Sequence, residues 1–244
     1  MELLGRYALL LGHTVRALFT SRFPWRNTFE QMYNAGNGSI LLITFVMAFL
    51  GIIGIYETSI QILKLIPELS IVGPAAIPVI IRELGPVVVA LMLSTRIGAG
   101  IAAEIGSMKV TDQLDAMMLT GTDPVNFLMV PRLTGVFVMT IMMMIWGITV
   151  TILGGMFIAY AKFGLNPRLF FVLDLTQMSD VWIALSKAAA FGIAIPIVSG
   201  ESGFSAKPGS EGVGWATTSA VVNSSFACII LDFIISAIGY VVTG

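Results

Sequence analysis

Long uncharged apolar stretches alternate along the chain with short polar ones. Residues 31–56 carry no charge and are most densely apolar over 40–56. About 20 helical residues at 1.5 Å rise cross the ~30 Å hydrocarbon core of a bilayer, so this stretch predicts a first spanning helix. Residues 57–81 are interrupted by Pro67, Gly73, Pro74 and Pro78. Proline removes a helical hydrogen bond, and the stretch reads as an outer-side or re-entrant segment. A second span covers 78–105 and carries Arg82, Glu83, Arg96 and Glu104. After a polar loop, 106–123, a third span occupies 124–161. Its uncharged part, 133–161, exceeds one crossing and predicts tilt or a break near Gly154-Gly155. A mixed-charge loop, 162–180, leads to a fourth span, 181–200, with Lys187 and Pro196 inside it. A Gly/Ser-rich loop, 201–214, precedes a fifth span, 215–242, which contains Asp232. No internal repeat is evident.

Residues 1–30 show a different pattern. Wound at 100° per residue, Glu2, Arg6, His13, Arg16 and Thr20 fall within about 80° of one another, while Leu4, Leu11, Val15 and Leu18 lie elsewhere. Leu9 intrudes on the polar stripe. The expectation is a helix on the inner membrane surface, with a short soluble cap on the bundle as the alternative. The fold class is all-α and polytopic: an N-terminal interfacial amphipathic helix plus about five transmembrane helices. Residues 1–244 read as one domain, with 1–30 the interfacial region and 31–244 the bundle.

Composition agrees with lipid as the main solvent. Of 244 residues, 57% are hydrophobic and 11% charged, against roughly 25% charged in soluble domains. The net charge of −1 gives no reason to expect nucleic acid. The single cysteine, Cys228, matches no metal or redox spacing. The first twenty-odd residues lack an uninterrupted apolar core, so targeting is expected to rest on the first span. Basic residues near the helix ends set orientation. With the N-terminus inside, that side holds Arg6, Arg16, Arg22, Arg26, Lys109, Arg132 and Lys207, against Lys64, Lys162 and Arg168 outside. The C-terminus is then outside.

The second span is the richest in chemistry. On a straight helix, Arg82, Arg96 and Glu104 project within about 80° of each other. Ser94, Gly98 and Ala102 fall nearly opposite, a spacing that lets another helix approach closely. Charge at bilayer depth marks substrate routes or buried pairs. Arg82 and Glu83 precede the apolar stretch 84–103, so they either serve a site or sit at the outer headgroups. Arg96 lies roughly 18 Å beyond the start of that stretch and reads as a buried pairing group, or as a side chain that snorkels inward. Lys187 and Asp232 pair with each other or with the second span.

Residues 107–121 form a short amphipathic segment. Val110, Leu114, Met117 and Met118 keep helical spacing, while Asp112 and Asp115 point away. Gly121 closes the segment and Asp123-Pro124 starts the next helix. Lipid, the bundle or a partner groove would each cover its apolar face. Nucleotide-loop, zinc-protease and nucleophile-elbow signatures are absent. The run from Gly98 to Ala103 formally imitates a dinucleotide fingerprint, but it lies within an apolar helix and reads as a packing feature. ATP-driven transport would therefore need its ATPase, with the ATP and Mg, in another chain.

The run from Arg82-Glu-Leu-Gly-Pro-Val through Arg96-Ile-Gly-Ala to Ala103-Glu-Ile-Gly-Ser-Met-Lys-Val-Thr-Asp-Gln-Leu-Asp-Ala resembles the MlaE/YrbE-type permease family. Asp123-Pro, Val130-Pro-Arg132, the run from Gly212 to Val222 and Leu231-Asp-Phe continue the resemblance. It covers most of the chain and is densest over 82–132. The resemblance implies a homodimeric permease in the bacterial inner membrane, without a catalytic, cofactor or metal site of its own. Two cytoplasmic ATPase subunits, an MCE-domain protein (a hexameric ring) and a STAS-domain subunit are the implied partners. Phospholipid is the implied ligand, and sterols or other hydrophobic cargo are handled by relatives. Arg82 and Glu83 would line or rim a lipid pocket at the dimer interface. The segment with Lys109, Val110, Asp112, Leu114, Asp115, Met117 and Met118 would be the coupling helix on the ATPase. Many members have arginine where Trp215 and Ser219 stand, so contacts made by those arginines are not expected. Two other classes compete: an ion-coupled carrier with a charge relay through Arg96, Lys187 and Asp232, and a non-transporting scaffold.

Overall fold

The computed structural model describes residues 2–20, 23–65 and 69–243. Arg22, Pro67 and the side chains of Glu2 and Val242 lie outside the described residues. Helix α1 (Glu2–Thr20) leads to α2 (Trp25–Leu65). Then α3 (Val72–Val79), α4 (Gly85–Leu93) and α5 (Ala99–Val110) run on as one 39-residue helix, joined by π-helical turns at Ile80–Leu84 and Ser94–Gly98. A short α6 (Gln113–Leu119), the long α7 (Pro124–Phe163), one turn of α8 (Pro167–Phe170), α9 (Met178–Phe204) and α10 (Ser210–Thr243) complete the chain. Among the described residues, five helices are long and apolar enough to cross a membrane.

The stretch 57–81 is not a separate re-entrant segment. Its first part continues α2 to Leu65, and its last part begins the second spanning helix at Val72. The prolines are accommodated by position. Pro74 lies in the first turn of α3, where no intrahelical N–H bond is due. Pro78 and Pro86 flank the first π-helical turn, which absorbs the missing bonds.

Helix α7 is likewise unbroken at Gly154-Gly155. Those glycines bring α2 close: a Cβ on Gly154 would lie 2.7 Å from the Ala48 carbonyl, and one on Gly155 would lie 2.5 Å from Ile55. Across the same seam, Gly51 abuts the Thr151 carbonyl. Between helices in lipid, close packing replaces the hydrophobic drive of water, so small residues mark the tightest contact. The 40-residue α7 spans about 60 Å at 1.5 Å per residue, so it tilts or projects beyond the hydrocarbon.

Local signals fix the helix ends. Asp123 caps α7 by accepting from the Val125 N–H at 3.0 Å, with Pro124 at the first position. Gly164, at φ 66°, closes it. Gln177 and Asp180 form a reciprocal capping box at the start of α9.

Helix α1 docks on the bundle through Leu10, Thr14 and Ala17, while Leu3, Leu4, Leu9, Val15 and Phe19 are exposed. Two residues of its polar stripe find partners there. The Arg6 guanidinium lies 3.8 Å from Glu201 on α9, and His13 Nε2 lies 3.1 Å from Asp123. One end of the molecule thus gathers α1, the α5–α6 turn and the α9–α10 loop. The opposite end gathers α8, the start of α9 and the end of α10.

Candidate functional site

The π-helical turns invalidate a straight-helix projection of the second span. Each inserts extra backbone per turn and rotates the helix beyond it. Arg82 and Glu83 face α9 and α10, whereas Arg96 and Glu104 face α2 and α7. The single charged face expected from the sequence is two separate faces.

At the opposite end, Lys187 of α9 is fully buried and its ammonium has three partners. Glu83 Oε2 lies at 2.7 Å, Asp232 Oδ1 at 2.8 Å and the Arg82 carbonyl at 2.8 Å. The ammonium donates to Glu83 and to the Arg82 carbonyl, and the Asp232 carboxylate is an ion-pair neighbour. Pro86 explains the carbonyl contact. Having no N–H, it cannot bond the carbonyl four residues back, which is that of Arg82, and Lys187 donates to that carbonyl instead. Lys187 therefore pairs both with Asp232 and with the second span. The Arg82 guanidinium lies 3.8 Å from Glu83 and 3.7 Å from Asp180, and Ser236 donates to Glu83 at 3.0 Å. Two cations and three carboxylates thus form one network, each charge facing at least one opposite charge, as burial in low dielectric demands.

The Arg82, Glu83 and Asp180 members of this network floor a cavity of about 880 Å³, while Lys187 is buried beneath them. Its walls are apolar, with Val79, Phe233, Tyr240 and Val241 among them. A polar floor under apolar walls suits an amphiphile: the headgroup meets charges while the chains meet side chains of like polarity. Asp180, Ser236, Phe233 and Tyr240 belong to the site without a signal in the sequence. The first stands in a stretch that reads as a loop, and the others show no pattern distinguishable from lipid-facing helix.

At the turn end, Glu104 meets Arg132 of α7 at 2.8 Å. Arg132, whose side chain is 3% exposed, is legible in the sequence as an orientation signal and within the family motif, with no hint of its partner. Arg96 is not a buried pairing group. It is exposed, makes no ion pair among the described residues, and lies over Gly38 of α2. A relay through Arg96, Lys187 and Asp232 is not assembled, because Arg96 lies on a different face. The small face is occupied as its spacing suggests: a Cβ on Gly98 would lie 2.8 Å from Ser199 and 3.3 Å from Ser224, and Ala102 is fully buried.

The amphipathic segment divides between α5 and α6. The turn at Thr111-Asp112 separates them, with Asp112 left-handed at φ 57°. Leu114 is 4% exposed and belongs to the protein's own core. Val110 and Met117 are half-buried; Lys109, Asp112 and Asp115 are exposed. Met118 and Leu119 stand out, at 55% and 90% exposure. The bundle therefore covers the Leu114 side, and the uncovered apolar tip is Met118-Leu119.

A smaller cavity at this end, about 590 Å³, lies between α1, α9 and α10 and includes Tyr7, Glu201, Trp215 and Ser219. Burial, and then the Glu201 charge, push the Tyr7 phenol above its usual range, against a hydrogen bond with Asn223. Lys207 stacks over the Trp215 ring at 5.8 Å.

Known proteins share this sequence over most of its length. A probable ABC transporter permease protein of Synechocystis sp. is 33% identical over 237 residues, covering 96% of this chain and 90% of its own. A probable ABC transporter permease protein of Rickettsia typhi is 39% identical over 157 residues, 64% of this chain and 61% of its own. The Arabidopsis thaliana chloroplastic protein named trigalactosyldiacylglycerol 1 is 28% identical over 233 residues, 94% of this chain and 66% of its own. The similarity to ABC permeases implies a multi-pass membrane subunit that works with an ATPase subunit. Residues 28–238 match the family model described as Permease MlaE, and the chain belongs to the MlaE permease family.

Proposed function

We propose that this chain is the membrane subunit of an ATP-driven phospholipid transporter, with the lipid held in the cavity above Arg82, Glu83 and Asp180, and Glu83 held in turn by the buried Lys187. The observation that carries the reading is that cavity: a charged floor under apolar walls, at the far end from the α6 turn. The name of the Arabidopsis relative is that of a diacylglycerol lipid, which supports a lipid cargo. A second copy of the chain would complete the cavity, since Phe233, Tyr240 and Val241 of α10 are exposed along it.

The turn end faces the cytoplasm in this reading, with the N-terminus inside and the C-terminus periplasmic. Arg6, Arg16, Arg26, Lys109, Arg132 and Lys207 at that end, against Lys64, Lys162 and Arg168 at the other, support this orientation in a bacterial inner membrane. Two ATPase subunits, which bind the ATP and Mg, dock on α6 through Met118 and Leu119. An MCE-domain ring receives the lipid at the periplasmic end, and a STAS-domain subunit attaches on the cytoplasmic side. ATP binding shifts the population between two arrangements of α5–α6 and thereby changes the space above Glu83.

The test is reconstitution of the permease with its ATPase in proteoliposomes containing a fluorescent phospholipid. ATP-dependent movement of the lipid, lost in Glu83→Gln and Lys187→Met while the chain still assembles with its ATPase, is the expected result. ATP hydrolysis without any lipid movement in the native complex refutes the lipid reading.

A further inference from the structure

A third cavity, about 420 Å³, opens between α2 and α5 near the turn end and is independent of the one above Glu83. Glu30, Gln31, Asn34, Arg96, Gly100 and Glu104 line it. Two stripes of residues spaced by four face each other across it: Glu30, Asn34 and Gly38 on α2, and Arg96, Gly100 and Glu104 on the second spanning helix. The two helices run antiparallel, so Glu30 and Glu104 stand at the mouth, and Gly38 and Arg96 lie about 12 Å deeper, eight residues along. The Arg96 guanidinium rests over Gly38, where any side chain would collide with it.

The charges in this groove are not neutralised among themselves. Arg96 makes no hydrogen bond or ion pair among the described residues, and neither does Glu30. Glu104 is held by Arg132 at 2.8 Å. A cation at this depth without an anion is costly, and lipid chains offer none. Deeper still, α2 exposes Leu41, Leu42 and Phe45. From the mouth inward the groove thus presents a carboxylate, a guanidinium and then an apolar surface.

That is the order of complementary groups on a phospholipid with a primary-amine headgroup: ammonium, phosphate, acyl chains. We propose that this groove binds the headgroup of such a zwitterionic phospholipid from the turn-end leaflet. Its phosphate accepts from Arg96, its ammonium donates to Glu30, and its chains lie along Leu41, Leu42 and Phe45. The inference rests on the lipid-permease reading only for the identity of the cytoplasmic side, and it adds a second headgroup site that draws from that leaflet. Arg96 supplies a charge-assisted bidentate contact to phosphate, while Glu30 disfavours lipids whose headgroup ends in a hydroxyl or a second negative charge.

The test uses the full chain in phosphatidylcholine nanodiscs doped with a phosphatidylethanolamine or phosphatidylglycerol that carries a photoreactive acyl chain. Cross-linked peptides are mapped by mass spectrometry. Native protein is expected to label at residues 41–45, more strongly with the ethanolamine lipid. Arg96→Gln removes at least one charge-assisted contact and is expected to cut that labelling about tenfold. Gly100→Leu does the same by filling the groove. A Cβ at Gly100 meets nothing within 4 Å, so this variant keeps the fold and separates loss of the groove from loss of structure. Glu30→Gln is expected to abolish the preference between the two lipids while leaving labelling in place. Soluble phosphoethanolamine in excess is expected not to compete; full competition would assign the groove to a free phosphate ester and overturn the lipid claim. Equal labelling by both lipids in native protein, or labelling indifferent to Arg96→Gln and Gly100→Leu, also overturns it. Labels near Phe233 and Tyr240 report the other cavity separately. Groove labelling with this pattern but without ATP-driven lipid movement would sink the lipid-transport reading and leave the groove site standing.

Discussion

Replacing Lys187 by methionine tests the charge network most directly. Methionine preserves the length and much of the volume of the side chain but removes its charge and all three donors. In the native protein that ammonium is fully buried, with Glu83 at 2.7 Å, Asp232 at 2.8 Å and the Arg82 carbonyl at 2.8 Å. Removing one partner of a buried ion pair costs about 3–5 kcal/mol, mostly because the other charge is stranded. The lower end applies here. Glu83 keeps Arg82 and Ser236 as partners and its side chain is 39% exposed. Asp232, with 18% exposure, loses its one ion-pair partner among the described residues. A loss of about 3 kcal/mol in a chain of this size lowers the melting temperature by about 6–12 °C. The measurement is thermal unfolding in a fixed detergent or nanodisc, monitored by tryptophan fluorescence. The triple variant Glu83→Gln, Lys187→Met, Asp232→Asn removes the stranded charges as well and should recover most of the loss, because a buried charge network replaced as a whole costs little. A single variant that melts within about 2 °C of the native protein, or a triple variant no better than the single, would refute the account of Lys187 as the centre of the network.

Three further outcomes are expected on the same physical grounds. On α6, Leu114→Asp places a charge in the core and should cost more than about 3 kcal/mol, whereas Leu119→Glu should leave the melting temperature unchanged and weaken co-purification with the ATPase about tenfold or more; the reverse pattern would put the docking surface on the wrong side of the helix. On α2, Gly51→Ala should lose about 1–3 kcal/mol by forcing a methyl against the Thr151 carbonyl, while Gly54→Ala, with nothing within 4 Å of its Cβ, should be neutral or gain up to about 1 kcal/mol; equal thermal shifts would contradict the α2–α7 seam. Tyr7 should ionise above 10.0, since burial and Glu201 favour its neutral form. Its contribution to α1 docking is then present below that pH and lost as pH rises through the higher folded value. An ultraviolet titration in which Tyr7→Phe removes a tyrosine that ionises above its ordinary value checks it; loss of an ordinary phenol step instead would refute it.

The sequence alone carried the class of the protein. Apolar runs of the right length, with so little charge between them, admit few solutions other than a helix bundle in lipid, because every backbone polar group must be satisfied within the segment. It also carried the helix ends that depend on adjacent residues: Asp123-Pro124 at the start of α7 and the closing Gly121 are local hydrogen-bonding and dihedral effects. The partners of the charged residues were not legible. A helical projection assumes a constant turn, and the two π-helical turns around Arg82 and Arg96 break that assumption at the residues of interest. Whether Arg96 is paired depends on Gly38 of another helix, and whether Lys187 meets Glu83, Asp232 or both depends on where three helices cross. Which side of the 107–121 segment is free depended on the bundle beneath it, since Leu114 and Leu119 are equally apolar on paper. Sequence periodicity names the face a residue occupies on its own helix; what that face touches is set by packing between helices far apart in the chain.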